Sequence, residues 1–596
     1  MTASMARLYH DPALDVTLTR LDELEIRVAL PPDAEDAELV LWDKYKKEEQ
    51  GVRRLSLSRW AQTPELAYYR SVLRSDGPRV RYLQYIFTFK KGGQNKGGQN
   101  EVLQATGLAG EGEGERTVPF QFSYAGDRDA LHRPSWINNR VWYQIFPDRF
   151  FRGEPSRDSD GIVPWQSEPD RHNFFGGDLA GIIAKLDYLE RLGVNAVYLN
   201  PVFVSRSNHK YDTEDYFAVD PAFGTREDLK RLADACHERD IKLVLDLVVN
   251  HCSYYHPFFQ DVVERGEASP YKDWFYLNRL PIAFGEEDYD SVGYYKWMPK
   301  LRTSNPEVQR YIYNIVSFWQ EETGIDGWRI DVADEVEFRF LGELNSKVKQ
   351  LNQAAYIIAE IWYDAKPMLA GRYADSVMNY ELRDILLAFV ADERIGSEQF
   401  HEQLVRHAHR YSLAEAAGLY NLLGSHDTER VWTRCGEDKS KLLMLLALQF
   451  MLPGMPAVYY GDEAGMAGEN DPGCRAGMRW EAGLEEGDIW RETAEWARLR
   501  KGHEALLDGD VSLDHLSDVS AYMVARKGKG KELRLVFNAS SRVSERSAAE
   551  IVQAGGIDPQ TAKIVRCAGA DRLSEAMLPW AWVLLEINDT GGFAHE

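Results

Sequence analysis

The sequence predicts an α/β protein built on a (β/α)8 barrel (a TIM barrel), with an excursion domain after the third strand and a β-sandwich on either side. Two patterns predict it. Alternation of apolar and polar residues with period two is confined to the first 125 residues and to those after about 505. Between them, short apolar runs alternate with amphipathic stretches eight times, and eight β/α units are what closes such a barrel. The expected divisions are 1–125, 126–505 with the excursion at 252–300, and 506–596.

In the first division, Glu23-Leu24-Glu25-Ile26-Arg27-Val28 and Tyr82-Leu83-Gln84-Tyr85-Ile86-Phe87-Thr88-Phe89 alternate as half-buried strands do. A tandem repeat, Lys91 to Asn95 followed by Lys96 to Asn100, has the composition of a loop between strands, as does Gly110 to Glu115. The barrel strands are expected at Val141 to Phe146, Val194 to Asn200, Leu243 to Val249, Trp328 to Val332, Tyr356 to Trp362, Ser376 to Tyr380, Leu419 to Leu423 and Pro456 to Tyr460. Between the second and third, Thr225 and Asp228 form a capping-box pair, and Leu229, Leu232, Ala233 and Cys236 trace one apolar helix face. The stretch 252–300 is too long for a βα loop and carries thirteen aromatics, so it is expected to overhang the barrel mouth. Period two returns at Glu532 to Phe537 and Trp582 to Ile587.

Composition narrows the function classes. The 596 residues carry 94 acidic against 70 basic side chains, and a formal charge of −24 opposes the attraction to phosphate that nucleic-acid binding needs. No run of about 18 uncharged apolar residues occurs, and the first twelve residues lack an apolar signal segment, so no membrane contact and a cytoplasmic address are expected. The five cysteines are scattered without paired spacing, as expected of reduced, structural thiols.

Three acidic residues stand in dense motifs: Asp331 in Gly327-Trp328-Arg329-Ile330-Asp331-Val332, Glu360 in Ile358-Ala359-Glu360-Ile361-Trp362, and Asp427 in Gly424-Ser425-His426-Asp427. On the barrel reading they follow strands four, five and seven, at the mouth where chemistry in this fold resides. Carboxylates at the ends of buried strands are costly unless they work. Two carboxyl groups converging on one bond, one as nucleophile and one as proton donor, are the minimum equipment for cleaving a glycosidic linkage with retention. Arg329 lies on the same side as Asp331 and is expected to keep it ionised, while the apolar neighbours of Glu360 suit a proton donor with a raised pKa. Asp427, taken alone, also suits a helix cap.

Together, Asp246-Leu247-Val248-Val249-Asn250-His251, Gly327 to Asp331, Glu360 and His426-Asp427 resemble, in order and spacing, the four signature regions of the α-amylase family, glycoside hydrolase family 13. The resemblance covers roughly residues 140 to 480. Met298-Pro299-Lys300-Leu301, Glu360 to Ala365 and Asp471-Pro472-Gly473-Cys474-Arg475 are similar to patterns of the subgroup of cyclomaltodextrinases, maltogenic amylases and neopullulanases. The resemblance implies a retaining hydrolase of α-1,4 bonds, with α-1,6 bonds included, acting on cyclodextrins, maltooligosaccharides, pullulan or starch. It implies Asp331 as nucleophile, Glu360 as acid and base, and Asp427 as the third carboxylate. It further implies substrate contacts from Tyr211, Asp212, His251, Arg329, Trp362, His426, Asp471 and Arg475, with Trp274-Phe275-Tyr276 as candidates on the leaving-group side and Asp246 and Asn250 as supports.

The subgroup resemblance also implies an N-terminal domain like a starch-binding module that joins a homodimer. Relatives there often hold calcium beside a Gly-Gly-Asp turn. Gly176-Gly177-Asp178 is present, and Glu154 and Asp158 could contribute, but Arg152 and Arg157 stand where an Asn is expected, and a cation cannot ligate Ca²⁺. The expectation is no metal and no cofactor. Two other readings stay open: a dedicated α-glucanotransferase, in which a sugar rather than water takes the intermediate, and a non-catalytic amylase-fold binding subunit, which predicts a missing carboxylate.

Overall fold

A computed structural model describes residues 10–46, 51–91, 100–104, 107–110, 118–155, 161–569 and 573–588. Residues 92–99 of the tandem repeat, residues 111–115 of the glycine–glutamate loop, and Arg157 and Asp158 lie outside them.

Near the N-terminus, two antiparallel sheets face each other. One has four strands in the order Val16–Arg20, Glu23–Leu30, Ala67–Arg74, Ser58–Gln62. The other runs Arg53–Ser56, Ala34–Asp43, Arg81–Lys91, Asn100–Gln104, Gly107–Gly110, with Phe120–Tyr124 also paired to Arg81–Lys91. Alternation dictates the core: Leu24, Ile26 and Val28 from one sheet meet Leu39, Leu41, Tyr85 and Phe87 from the other.

The central sheet is eight parallel strands: β1 (Trp142–Ile145), β2 (Ala196–Leu199), β3 (Lys242–Leu247), β4 (Gly327–Ile330), β5 (Tyr356–Ala359), β6 (Ser376–Val377), β7 (Tyr420–Leu422) and β8 (Met455–Tyr459). Neighbours run 6-5-4-3-2-1-8-7, and a bridge between Met378 and Tyr420 joins the two ends, so the sheet closes as a barrel. All eight expected runs are strands, most of them shorter than read from hydropathy. The difference matters at β4 and β5, which stop one residue before Asp331 and Glu360.

Side chains that point inward fill the barrel at its lower end, where Trp142, Tyr198, Val244, Tyr356, Ile358, Met378, Tyr420 and Leu422 form one cluster. The next inward positions toward the mouth are polar: Gln144, Asn200, Asp246, Arg329. Gly327 begins β4 because nothing larger fits; a Cβ there would sit 2.0 Å from the Tyr356 carbonyl oxygen. Outward residues pack against helices such as Arg226–His237, whose expected capping box is present.

Between β3 and the helix Pro306–Thr323 lies the overhanging segment: a helix, Pro257–Arg265, and bridges that include His251 with Lys300 and Leu277 with Tyr289. Phe259, Phe275, Tyr289 and Trp274 are its buried aromatics. The C-terminal part is sheet-rich as expected but differs from a pair of facing sheets. Among the described residues it is one five-stranded antiparallel sheet, Asp510–Leu516, Ala521–Lys527, Lys531–Asn538, Trp582–Asn588, Lys563–Ala568. Helices take the place of the second sheet: Tyr522, Val524 and Leu535 pack on barrel helices that carry Leu445 and Trp496, while Met523 and Val536 meet the helix Ala548–Ala554.

Candidate active site

Arg329 is the centre of the polar layer at the mouth. It is 1% exposed. Its Nη1 lies 2.7 Å from Asp331 Oδ1 and 3.0 Å from Asp246 Oδ1, and its Nη2 lies 2.9 Å from Glu360 Oε2. Register explains the convergence, since Asp246 on β3 pairs with Arg329 on β4, and Arg329 with Ile358 on β5. A guanidinium suits the position because it stays charged and offers several donors in a fixed plane.

Burial dominates the electrostatics. It pushes the Asp331 carboxyl well above the usual range and Glu360 above it, with Arg329 opposing in both. Repulsion from Glu360 and Asp246 adds to the effect at Asp331. The expectation that Arg329 keeps Asp331 ionised therefore needs correction: Arg329 bonds Asp331 and lowers its pKa, but one cation is divided among three carboxyls. Burial outweighs the guanidinium, so the Asp331 carboxyl stays above the usual carboxylate range.

Glu360 is oriented from two sides. Val332 N–H donates to Oε2 at 2.8 Å and Trp362 Nε1–H to Oε1 at 3.2 Å. Val332 reaches this geometry with a φ of 45°, a left-handed turn that a β-branched residue adopts at a cost of about 1–3 kcal/mol. Trp362 stacks on Tyr380 with centroids 3.8 Å apart, and the Tyr380 hydroxyl donates to Ser425 Oγ at 3.1 Å. One buried tyrosine thus ties the Glu360 loop to the loop that carries His426 and Asp427.

The two histidines are neutral donors. Burial pushes His251 down to about 3 and His426 well below the usual imidazole range. Gln144 Nε2–H donates to His426 Nδ1 at 2.7 Å, leaving the ring proton on Nε2, which faces Tyr211 Oη at 2.7 Å and Asp427 Oδ2 at 3.0 Å. His251 Nδ1 accepts from Asn250 at 3.4 Å, so its proton is also on Nε2. That Nε2 is buried without a hydrogen-bond partner, 3.9 Å from Asp331 Oδ2.

Tyr211 stands parallel to the His426 ring at 5.4 Å and donates to Asp246 at 2.9 Å. Asp427 begins no helix, since the next is Val431–Arg434. Its side chain is 32% exposed, and Arg475 Nη2 holds Oδ1 at 2.9 Å. Asp471 pairs with the same guanidinium at 2.8 Å. Asp212 braces its own loop, where Ser205 and Ser207 both donate to Oδ1. Trp274 and Phe275 are core residues 6% and 1% exposed, so burial removes them from the leaving-group side. Lys300, from the Met298 to Leu301 motif, donates to Glu335 at 3.1 Å. Gln144, Asn200, Tyr198 and Tyr380 were not singled out from sequence, although Gln144 lies on β1, Tyr198 and Asn200 on or just after β2, and Tyr380 opens the helix Tyr380–Leu386 that follows β6.

Together the barrel, its strand-end carboxyl pair and the neutral imidazole donors around it define a glycosidase of the (β/α)8 class. The family model described as "Alpha amylase, catalytic domain" matches residues 144–508. The chain is 42% identical over 472 residues to a cyclomaltodextrinase of Geobacillus thermopakistaniensis, covering 78% of this chain and 79% of that one. It is 38% identical to neopullulanase 2 of Thermoactinomyces vulgaris, covering 87% and 88%, and 40% identical to an intracellular maltogenic amylase of Bacillus subtilis, covering 70% and 71%. A solved cyclomaltodextrinase superposes with a TM-score of 0.85 at 32% identity over 98% of both chains. The protein belongs to the α-amylase family, and it is a glycoside hydrolase of the type these relatives represent.

Proposed function

We propose that the enzyme cleaves α-1,4-glucosidic bonds, and some α-1,6 bonds, in cyclodextrins, maltooligosaccharides, pullulan or starch, with retention through a covalent glycosyl-enzyme and some transfer to sugar acceptors. The observation that carries this reading is the Asp331–Glu360 pair, opposed on adjacent strands and bridged by Arg329. Asp331 attacks the anomeric carbon as Glu360 protonates the departing oxygen; Glu360 then takes a proton from water, which breaks the glycosyl ester. A Glu360 carboxyl raised by burial suits the protonated acid that the reaction needs. The partnerless His251 Nε2–H and the half-open Asp427 suit ring hydroxyls of the distorted sugar, with Tyr211 as its stacking platform. The relatives named for cyclomaltodextrin and pullulan support the substrate class.

The same reading includes no metal. The Asp178 carboxylate already accepts from Gly153 N at 3.1 Å, Glu154 N at 2.7 Å and Gly181 N at 2.6 Å. A carboxylate so occupied does not fit a cation that needs six to eight oxygens, and Arg152, next in sequence to Gly153, carries a charge that cannot ligate one. The chain is further read as a cytoplasmic homodimer joined through its N-terminal sheets, a reading supported by the subgroup resemblance and by the relative named intracellular. No helix among the described residues is long and apolar enough to cross a membrane.

Competing hydrolysis of β-cyclodextrin, pullulan and soluble starch at equal mass, with products resolved by NMR, tests the proposal. Fastest loss of the cyclodextrin with α-anomeric product is expected. First-formed β-anomers, or no cleavage of any of the three, would overturn it.

A further inference from the structure

We propose that the buried Lys366–Glu415 ion pair, held from the N-terminal sheets by Thr17, Arg27 and Glu25, positions the loop that carries Glu360. The inference rests on Glu360 as the proton donor. The loop leaves β5 at Glu360 and ends where Lys366 opens the helix Lys366–Ala370. Its near end is fixed by the Trp362 stack on Tyr380. Its crown is tied at the surface: Tyr363 is 78% exposed, and the Asp364 side chain, 57% exposed, lies 3.5 Å from Arg410 and accepts the Lys366 N–H at 3.0 Å. An arch open to water at its crown holds one geometry only if its far foot is fixed too, and that foot is Lys366, 2% exposed.

Lys366 Nζ donates to Glu415 Oε2 at 2.6 Å. The same oxygen accepts from Ser412 N at 2.9 Å, Ser412 Oγ at 3.0 Å and Thr17 Oγ1 at 3.3 Å, while Arg372 lies 3.5 Å from Oε1. Thr17 is on the first strand of the N-terminal sheet and itself accepts from Arg27 Nη1 at 3.3 Å. Glu25, beside Arg27 on the second strand, accepts the Leu413 N–H at 3.0 Å, fixing the turn that presents Glu415. Asp15, Glu25 and Glu415 balance Arg27, Lys366 and Arg372, and all but Arg372 are buried. Capping a four-residue helix, Leu413–Ala416, needs only the Ser412 bonds; the remaining partners of Glu415 are Thr17 from the N-terminal sheet, Lys366 at the end of the acid's own loop and Arg372 just past the helix that Lys366 opens.

The test compares kcat/KM on maltotriose with that on α-maltosyl fluoride, whose fluoride departs with little help from a proton donor. Glu360→Gln is the control, expected to lose about 100-fold on maltotriose and far less on the fluoride. Lys366→Met and Thr17→Val are expected to lose about tenfold and threefold on maltotriose, respectively, with the fluoride within about twofold, and Lys366→Arg to restore most of the loss. If Lys366→Met does not fold, Thr17→Val carries the test alone. Equal losses on both substrates, or none on either, in a background where Glu360→Gln discriminates, overturn the positioning role and leave Glu360 standing. Failure of Glu360→Gln to discriminate removes the proton-donor reading, and this inference with it.

Discussion

Asp331 and Glu360 stand opposite one another one residue beyond the last paired rung of two parallel strands. The offset that pairs Gly327 with Tyr356 and Ile330 with Ala359 is 29 residues, and 360 − 331 is also 29. Arg329, the inward residue one level below, reaches both carboxyls. The pair is therefore set by strand register rather than by loop conformation, which is the more rigid way to hold two groups on one bond.

Replacing either carboxyl by its amide keeps the shape and removes the chemistry. Asp331→Asn and Glu360→Gln are each expected to lower kcat on maltooligosaccharides by at least about 10²–10⁴-fold. Melting should stay close to wild type or rise, because each change relieves repulsion in a cluster of three carboxyls. Near-full activity in either variant would defeat the assignment.

His251 offers a donor that nothing in the free protein uses. His251→Asn keeps an amide near Nδ1 and loses Nε2–H. A lost neutral hydrogen bond of about 0.5–1.5 kcal/mol corresponds to a kcat/KM lowered up to about tenfold. Thermal unfolding should barely move, and a drop in stability with unchanged kinetics would make His251 a structural residue.

The activity profile follows from the raised Glu360 carboxyl. The acid must be protonated to work, so kcat/KM is expected to fall on the alkaline side as Glu360 loses its proton above the usual carboxylate range. Trp362→Phe removes a hydrogen bond that favours the charged form and should carry this limb to higher pH. A limb unmoved by that change would detach it from Glu360.

Stability toward acid has a different source. Its partners hold Glu415 down at about 2 against an unfolded value of 4.5, a lowered pKa. The stability it contributes is full above about pH 4.5 and lost as pH falls toward 2, amounting to about 3 kcal/mol. Urea midpoints at pH 6 and pH 3 should differ more in wild type than in Glu415→Gln, and equal differences would contradict the linkage.

Gly327→Ala tests the barrel rather than the chemistry. The added methyl would meet the Tyr356 carbonyl oxygen at 2.0 Å, so β4 and β5 cannot keep their spacing. A loss of about 3 kcal/mol or more in urea unfolding is expected. A fully stable variant would show that the two strands have slack.

Much of this was legible in the chain because burial writes itself into hydropathy. Trp328, Ile330, Ile357 and Ala359 face the helices, and the residues between them face the barrel, so Arg329 and Glu360 fall on the catalytic side by parity alone. Gln144 obeys the same parity and escaped notice because it looks like an ordinary strand residue, and Tyr380 because it follows β6 at the start of a helix; their roles depend on His426 and Ser425, far away in sequence. The shared charge of Arg329 was also hidden, since sequence proximity joins it to Asp331 but only register joins it to Asp246 and Glu360. In the C-terminal part, alternation shows that a face of the sheet is covered without saying whether by strands or by helices.

The most direct measurement is to trap the glycosyl-enzyme. A 5-fluoro-α-glucosyl fluoride, which slows breakdown of the intermediate, should add one glycosyl unit to the protein, and peptide mass spectrometry should place it on Asp331. No adduct on Asp331→Asn is expected. An adduct on Glu360, or none on wild type while the fluoride is turned over with inversion, would contradict Asp331 as the nucleophile.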